Sequence, residues 1–313
     1  MSALDRYLAF RRSLPPRPPL ESLTVRARGL DFAVYRTPPV GDGPPLFCIN
    51  GGLLFDHRLL WPALAWLASH RQLIFFDQRG RGQSAVPPGM AASRIEFDAS
   101  DVVAIRRALG IPQWDLLGHS WGGGIAMLAA AEDAPEHPSA HDPAPVRRLV
   151  LVNAVGITSR WLPPMHAAGV ARLDGEARET LAAFDPARLA EPDLARHAAY
   201  ARAFFPAWFA DSTFARQITP QVGDSLTGAV VAARLRRDGY DWTERLRDLQ
   251  VPTLVLHGAA DVLPLSEAER TAQYLPHARL VPIADAGHNP FWEAPDVFFA
   301  AVHAFLTEGA PAS

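Results

Sequence analysis

A single cysteine, Cys48, in 313 residues rules out an intrachain disulfide and suits a reducing compartment. It lies in the apolar run 46–49 and reads as a small buried residue, not a nucleophile. No apolar run is long enough to span a bilayer, so no membrane partner is expected. Residues 1–14 carry Asp5, Arg6, Arg11 and Arg12 around no continuous apolar centre. That is a poor signal peptide, and a cytoplasmic location is expected. The net charge of −3 gives no electrostatic reason to expect nucleic acid. No G-x-x-x-x-G-K-[ST] loop or dinucleotide fingerprint occurs, so no cofactor is expected. His137 and His141 lie in the proline-rich stretch 134–146 without a second ligand pair at metal spacing, so no metal is expected either.

Apolar residues, in contrast, make up 49% of the chain against 20% charged, enough for a sizeable core. Residues 4–14 read as a short helix ended by Pro15, Pro16, Pro18 and Pro19. Strand patterns follow at 23–28 and 30–36, turning at Gly29, then at 46–49, 72–76, 114–117, 148–152, 253–256 and 279–282. Helical spacing fills 61–68, 97–109, 125–131 and 295–306. Strands alternating with helices predict an α/β fold, a mostly parallel central sheet with helices on both faces. The alternation stops over 155–247, where Leu181, Leu189, Leu194, Phe204, Phe205, Trp208 and Phe209 recur at helical spacing. The predicted organisation is a helical arm at 1–21, a core of 22–154 and 248–313, and an inserted helical cap at 155–247 over the carboxyl ends of the strands.

The stretch Leu116-Leu117-Gly118-His119-Ser120-Trp121-Gly122-Gly123-Gly124 sets one serine between two glycines, where an apolar strand gives way to an apolar helix. A serine on such a sharp turn needs minimal side chains packed against it, which Gly118 and Gly122 supply. Its hydroxyl then projects beside a helix N-terminus, where developing negative charge is favoured. A serine hydroxyl becomes a nucleophile once a base takes its proton and an acid orients that base. Among eleven histidines, His288 is the candidate base, in a glycine-containing loop between the last strand and the closing helix. His303 falls inside that helix, His257 adjoins a strand end, His277 lies in a surface-like turn, and His119 diverges from its neighbour on the elbow. Asp261 is the candidate acid, just past the 253–256 strand; a helix N-cap is its alternative reading. Ser120, Asp261 and His288 follow one another in nucleophile–acid–base chain order. Oxyanion donors are expected from the backbone N–H of Trp121 and from Gly52 in Asn50-Gly51-Gly52-Leu53-Leu54, with Leu53 serving if the register shifts by one. Phe76-Asp77-Gln78-Arg79-Gly80-Arg81-Gly82-Gln83-Ser84 looks reactive but is read as a structural turn held by Asp77 and Arg79.

Together these motifs resemble the α/β-hydrolase superfamily over nearly the whole length, closest to its proline iminopeptidase-like branch of serine peptidases. The pieces that match are Gly51-Gly52, the 77–84 turn, Gly118-His119-Ser120-Trp121-Gly122-Gly123, His257-Gly258-Ala259-Ala260-Asp261 and Gly287-His288. The resemblance implies an acyl-enzyme on Ser120, with Asp261 and His288 completing the triad and the hole formed by Gly52 and Trp121. Two departures bear on substrate. Asn50 stands where the family has histidine, and the following Pro-Gly pair is absent. The family's aminopeptidases also hold a free amine with cap glutamates, and Glu176, Glu179, Glu191 and Glu244 match no such motif. The aromatic stretch 200–214 is either cap core or an apolar acyl pocket.

The expected function is a cofactor-free serine hydrolase acting on a small-molecule or short-peptide substrate, as an aminopeptidase or a carboxylesterase. Lactonase activity and a non-catalytic ligand receptor are the alternatives. Epoxide or haloalkane hydrolysis would need a carboxylate at position 120. Homo-oligomerisation is left open, as is whether the arm packs on its own core or on a neighbour.

Overall fold

The computed structural model describes residues 2–135 and 144–308. His137 and His141 fall outside them. Eight strands form one sheet: β1 (Glu21–Ala27), β2 (Leu30–Arg36), β3 (Leu46–Ile49), β4 (Leu73–Phe76), β5 (Trp114–His119), β6 (Val146–Val152), β7 (Thr253–Gly258) and β8 (Ala278–Ile283). Their spatial order is β1-β2-β4-β3-β5-β6-β7-β8. β1 and β2 pair antiparallel, as do β2 and β4, and every later pairing is parallel. This is the architecture that the resemblance implies.

Pattern explains position. β3, β4 and β7 are continuous apolar runs buried throughout, as strands covered on both faces must be. β1 alternates between exposed and buried residues and sits at the sheet edge, with Glu21 and Arg26 outward. β8 takes the other edge, where Pro282 costs no central ladder bond. The period of two divides each inner strand between two cores. Phe47, Ile49, Ile74, Phe76, Leu116 and Leu151 face one; Leu46, Cys48, Leu73, Phe75, Leu117 and Val150 face the other.

The first core is covered by α2 (Ile95–Ala108) and α3 (Trp121–Glu132). Helix α3 is buried nearly all round, which its glycine and alanine content permits. The second core is covered by α12 (Pro295–Thr307) through Phe298, Phe299, Val302 and Phe305. The helix expected over 61–68 is instead a pair of short 3₁₀ turns, His57–Leu59 and Ala65–Ser69. Pro62 lies between them; it lacks an N–H and disfavours helical backbone at Trp61.

Helix α1 (Ala3–Ser13) is capped by Ser2, whose hydroxyl accepts from the Asp5 N–H while the Asp5 carboxylate accepts from the Ser2 N–H. It packs on its own chain: Phe10 stacks on Phe299 at 5.1 Å, and Arg6 Nε donates to the Glu293 carbonyl at 3.0 Å. Between β6 and β7 run α4 (Leu162–Arg172), α5 (Gly175–Ala182), α6 (Leu194–Phe204), α7 (Ser212–Ala215), α8 (Leu226–Asp238) and α9 (Thr243–Leu246). Their Leu181, Tyr200, Phe204 and Trp242 merge with the first core. Beyond β7 come α10 (Leu265–Tyr274) and α11 (Pro290–Glu293). Among the described residues no helix is long and apolar enough to cross a membrane.

Candidate active site

Strand β5 ends at His119, and Ser120 turns the chain into α3 with φ 57 and ψ −123. A non-glycine residue there stores roughly 1–3 kcal/mol of strain and persists only where its surroundings hold it. Ser120 N donates to the Val152 carbonyl at 2.9 Å, and its own carbonyl accepts from Gly123 N at 2.9 Å and Val155 N at 3.2 Å. The flanking glycines are required by space: a Cβ on Gly122 would lie 2.1 Å from the Ile49 carbonyl oxygen, and one on Gly118 2.3 Å from that of Gly122. Backbone on both sides cannot give way.

His288 lies between β8 and α11, with Nδ1 at 2.7 Å from Asp261 Oδ2. The same carboxylate oxygen accepts from Asn153 Nδ2 at 2.7 Å, and Asp261 Oδ1 accepts from Leu263 N at 3.0 Å. Burial pushes Asp261 up, but its electrostatic and hydrogen-bond interactions with His288, with His257 and the Asn153 amide, outweigh it and hold the carboxyl below its ordinary value. A charged Asp261 only accepts, so Nδ1 carries its proton and Nε2 is the free ring nitrogen. Asp261 is not an N-cap, because the cap position of α10 is Pro264.

Backbone contacts hold the imidazole in place. His288 N donates to the Trp208 carbonyl at 2.7 Å, and the Trp208 ring lies over the imidazole with centroids 4.0 Å apart. His119 packs beneath, its Nε2 donating to the His288 carbonyl at 2.9 Å. Burial, with His288 beside it, pushes His119 down to about 3, so it stays neutral. Glu293 clips the loop from the other side: Oε2 accepts from Gly287 N at 2.7 Å, and Oε1 from Ala210 N at 2.8 Å and Asp211 N at 3.1 Å.

Ser120 and His288 open onto one cavity of about 120 Å³, which Gly52, Leu53, Trp121, Trp161, Phe204 and Trp208 also line. Its scale is near the roughly 150 Å³ of an engineered apolar cavity that takes a benzene ring. The Ser120 hydroxyl makes no hydrogen bond among the described residues, so the serine–imidazole link is the one relay contact not closed here. Gly52 and Leu53 have φ 80 and 47, and the loop is tied down by Arg81 Nε to the Leu53 carbonyl at 3.0 Å and Gln78 Nε2 to the Asn50 carbonyl at 2.7 Å. Asn50, in the family's histidine position, donates within its own loop to the Phe55 carbonyl at 3.2 Å.

The geometry thus brings all five expected residues to one place: Ser120, His288, Gly52 and Trp121 line the cavity, and Asp261 sits behind His288. Residues 44–295 match the α/β hydrolase fold family. The chain is an α/β-hydrolase. This hydrolase is 27% identical over 269 residues to a proline iminopeptidase of Lactobacillus delbrueckii subsp. lactis, covering 80% of this chain and 85% of that one. It is 30% identical over 277 residues to a 2-hydroxymuconate semialdehyde hydrolase of Pseudomonas sp. (strain CF600), covering 86% and 88%. The solved proline iminopeptidase of Mycobacterium smegmatis superposes with a TM-score of 0.65 at 23% identity, over 91% of the hydrolase and 97% of that chain.

Sequence reasoning missed Asn153, Glu293 and Arg236 near the site. Asn153 alone had a signal, as a polar residue at the end of a buried strand. Within the 200–214 stretch, Tyr200, Phe204, Phe205 and Trp208 line the cavity, while Phe209 and Phe214 pack in a separate apolar cluster.

Proposed function

We propose that this protein is a serine hydrolase that cleaves a small ester through an acyl-enzyme on Ser120. The observation that carries the reading is the 2.7 Å His288–Asp261 hydrogen bond facing a strained serine across a shared cavity. His288 Nε2 takes the hydroxyl proton as Oγ bonds to the substrate carbonyl carbon. The resulting oxyanion is held by the N–H groups of Gly52 and Trp121, with the α3 N-terminus behind it. The tetrahedral intermediate collapses, the leaving alkoxide takes the proton from His288, and an alcohol departs. Water then repeats the sequence: it gives a proton to His288, its oxygen attacks the acyl carbon, and Ser120 regains its hydrogen as the acid leaves. Apo serine–base contacts commonly tighten only when substrate binds, which suits the unclosed link here.

An ester is favoured over the N-terminal amide of an aminopeptidase. A free amine needs an acidic partner, yet no aspartate or glutamate lines the cavity among the described residues, and Glu176, Glu179, Glu191 and Glu244 are all exposed.

Fluorophosphonate labelling tests the mechanism: wild type is expected to be labelled at Ser120, with the label lost in Ser120→Ala and greatly slowed in His288→Ala. An unreactive Ser120 would point to a ligand receptor. Comparing prolyl-arylamides with short acyl nitrophenyl esters tests the bond; turnover of the arylamides alone would overturn the ester assignment.

A further inference from the structure

The acyl-transfer chemistry leaves one charged group of the cavity without a task. Arg236, on α8, lines the same space as Ser120 and His288. Its guanidinium lies over the Tyr200 ring, 5.3 Å from the centroid, and the Tyr200 hydroxyl lies 3.3 Å from His166 Nδ1. No carboxylate comes within 4.0 Å of it among the described residues. The contrast with the fully buried arginines is sharp. Arg81 pairs with Asp98 at 2.9 Å and Arg71 with Asp115 at 2.6 Å, while Arg148, without an acid, donates to the Leu306 carbonyl at 2.8 Å.

Arg236 is half-buried, so without a counter-ion it carries part of an uncompensated desolvation cost, and the arrival of an anion offsets it. Burial pushes Arg236 down, yet a guanidinium stays protonated, so this charge is permanent. Burial, and then Arg236 itself, pushes the nearby His166 down. The same holds for His197, a lining residue, where burial again comes first. Neither therefore competes as a cation. Apolar walls including Trp161, Leu162, Met165, Phe204 and Phe205 strengthen any ion pair formed among them. A planar guanidinium bordering an apolar cavity matches a carboxylate in shape as well as charge.

We propose that the substrate of this hydrolase carries a second, free carboxylate, held in the cavity by Arg236 while Ser120 attacks the ester. The proposal rests on the reading of Ser120 as nucleophile but makes its own demand on substrate. An aminopeptidase would place an acid where this cavity places a base.

Two ester series test it. One is the mono-para-nitrophenyl esters of linear dicarboxylic acids, succinate to suberate, against neutral acyl esters of equal chain length. The other is para-carboxyphenyl against phenyl butyrate, with the charge on the leaving group. In at least one series wild type is expected to prefer the anionic ester by about tenfold or more in kcat/KM, about 1.4 kcal/mol. Arg236→Met should collapse that ratio and Arg236→Lys retain part of it, with melting temperatures confirming folded variants. Neutral esters preferred throughout both series, or a ratio untouched in Arg236→Met, would overturn the proposal. Calorimetric titration with glutarate and adipate reads the subsite without turnover: binding to wild type that Arg236→Met abolishes supports it, and no difference between the two counts against it. Failure of fluorophosphonate labelling alongside Arg236-dependent dicarboxylate binding would remove the serine mechanism and leave the subsite standing.

Discussion

Asn153 and His288 share one oxygen: Nδ2 of the first and Nδ1 of the second each lie 2.7 Å from Asp261 Oδ2. Asn153 also donates to the Gly287 carbonyl at 3.1 Å, one residue before the imidazole, so it fixes both the acid and the loop that carries the base. Its φ of 43 is a backbone that asparagine tolerates better than most residues. Asn153→Gly keeps that backbone and deletes the amide. It is expected to lower kcat by about tenfold, as befits one hydrogen bond to a charged group, with KM changing less than kcat. Asn153→Asp sets a second carboxylate against the first and should lower kcat further. Steady-state kinetics check this, and a silent Asn153→Gly would deny the positioning role.

The relay acts as a unit or not at all. Ser120→Ala and His288→Ala are each expected to lower kcat by roughly 10⁶-fold, and the double variant to be no worse than either. Asp261→Asn should cost about 10⁴-fold, because an amide favours the wrong imidazole tautomer. Independent, multiplying losses in the double variant would mean that the two residues do not share one proton transfer.

Glu293 makes the His288 loop sensitive to pH. Burial pushes its carboxyl up to about 7, even though the N–H groups of Gly287, Asp211 and Ala210 favour the charged form. The folded value lies above the unfolded one, so folding binds a proton through the interval between them. The stabilisation is full below the unfolded value, near 4.5, and is lost as pH rises through about 7. That loss is on the order of 3 kcal/mol, at about 1.4 kcal/mol per unit. Melting temperatures measured from acidic to neutral pH should fall more steeply in wild type than in Glu293→Gln. Parallel curves would show that the Glu293 carboxyl titrates alike in the folded and unfolded chain.

The 77–84 turn supports the site from below. Arg81 and Asp98 are fully enclosed and paired at 2.9 Å, and Arg81 Nε also holds the Leu53 carbonyl of the loop assigned to the oxyanion. Arg81→Met leaves a buried carboxylate alone, which typically costs about 3–5 kcal/mol. A fall in melting temperature of about 6 °C or more is expected. Asp98→Leu in the same background should recover much of it, since an apolar pair replaces a buried ion pair at little cost. No recovery would mean that the Leu53 contact dominates.

Legibility followed the range of the force involved. The strands 46–49 and 73–76 were readable because burial on both faces writes an unbroken apolar run into adjacent residues. The elbow was readable because steric demand at Ser120 acts on residues two positions away. Segment 61–68 misled because its apolar spacing is helical while Pro62 ends the helix locally.

From the order of its residues alone, the chain determined an α/β sheet, a strained serine between glycines, and an acid and a histidine in the expected succession. Only tertiary structure decided what surrounds them. Asn153 meets Asp261 more than a hundred positions away, Glu293 bridges Gly287 to Ala210 and Asp211 some eighty positions away, and Arg236 lines the cavity with Ser120. Those pairings leave no periodic trace in sequence, because a hydrogen bond or an ion pair depends on distance in space, and that distance exists only once the sheet has folded.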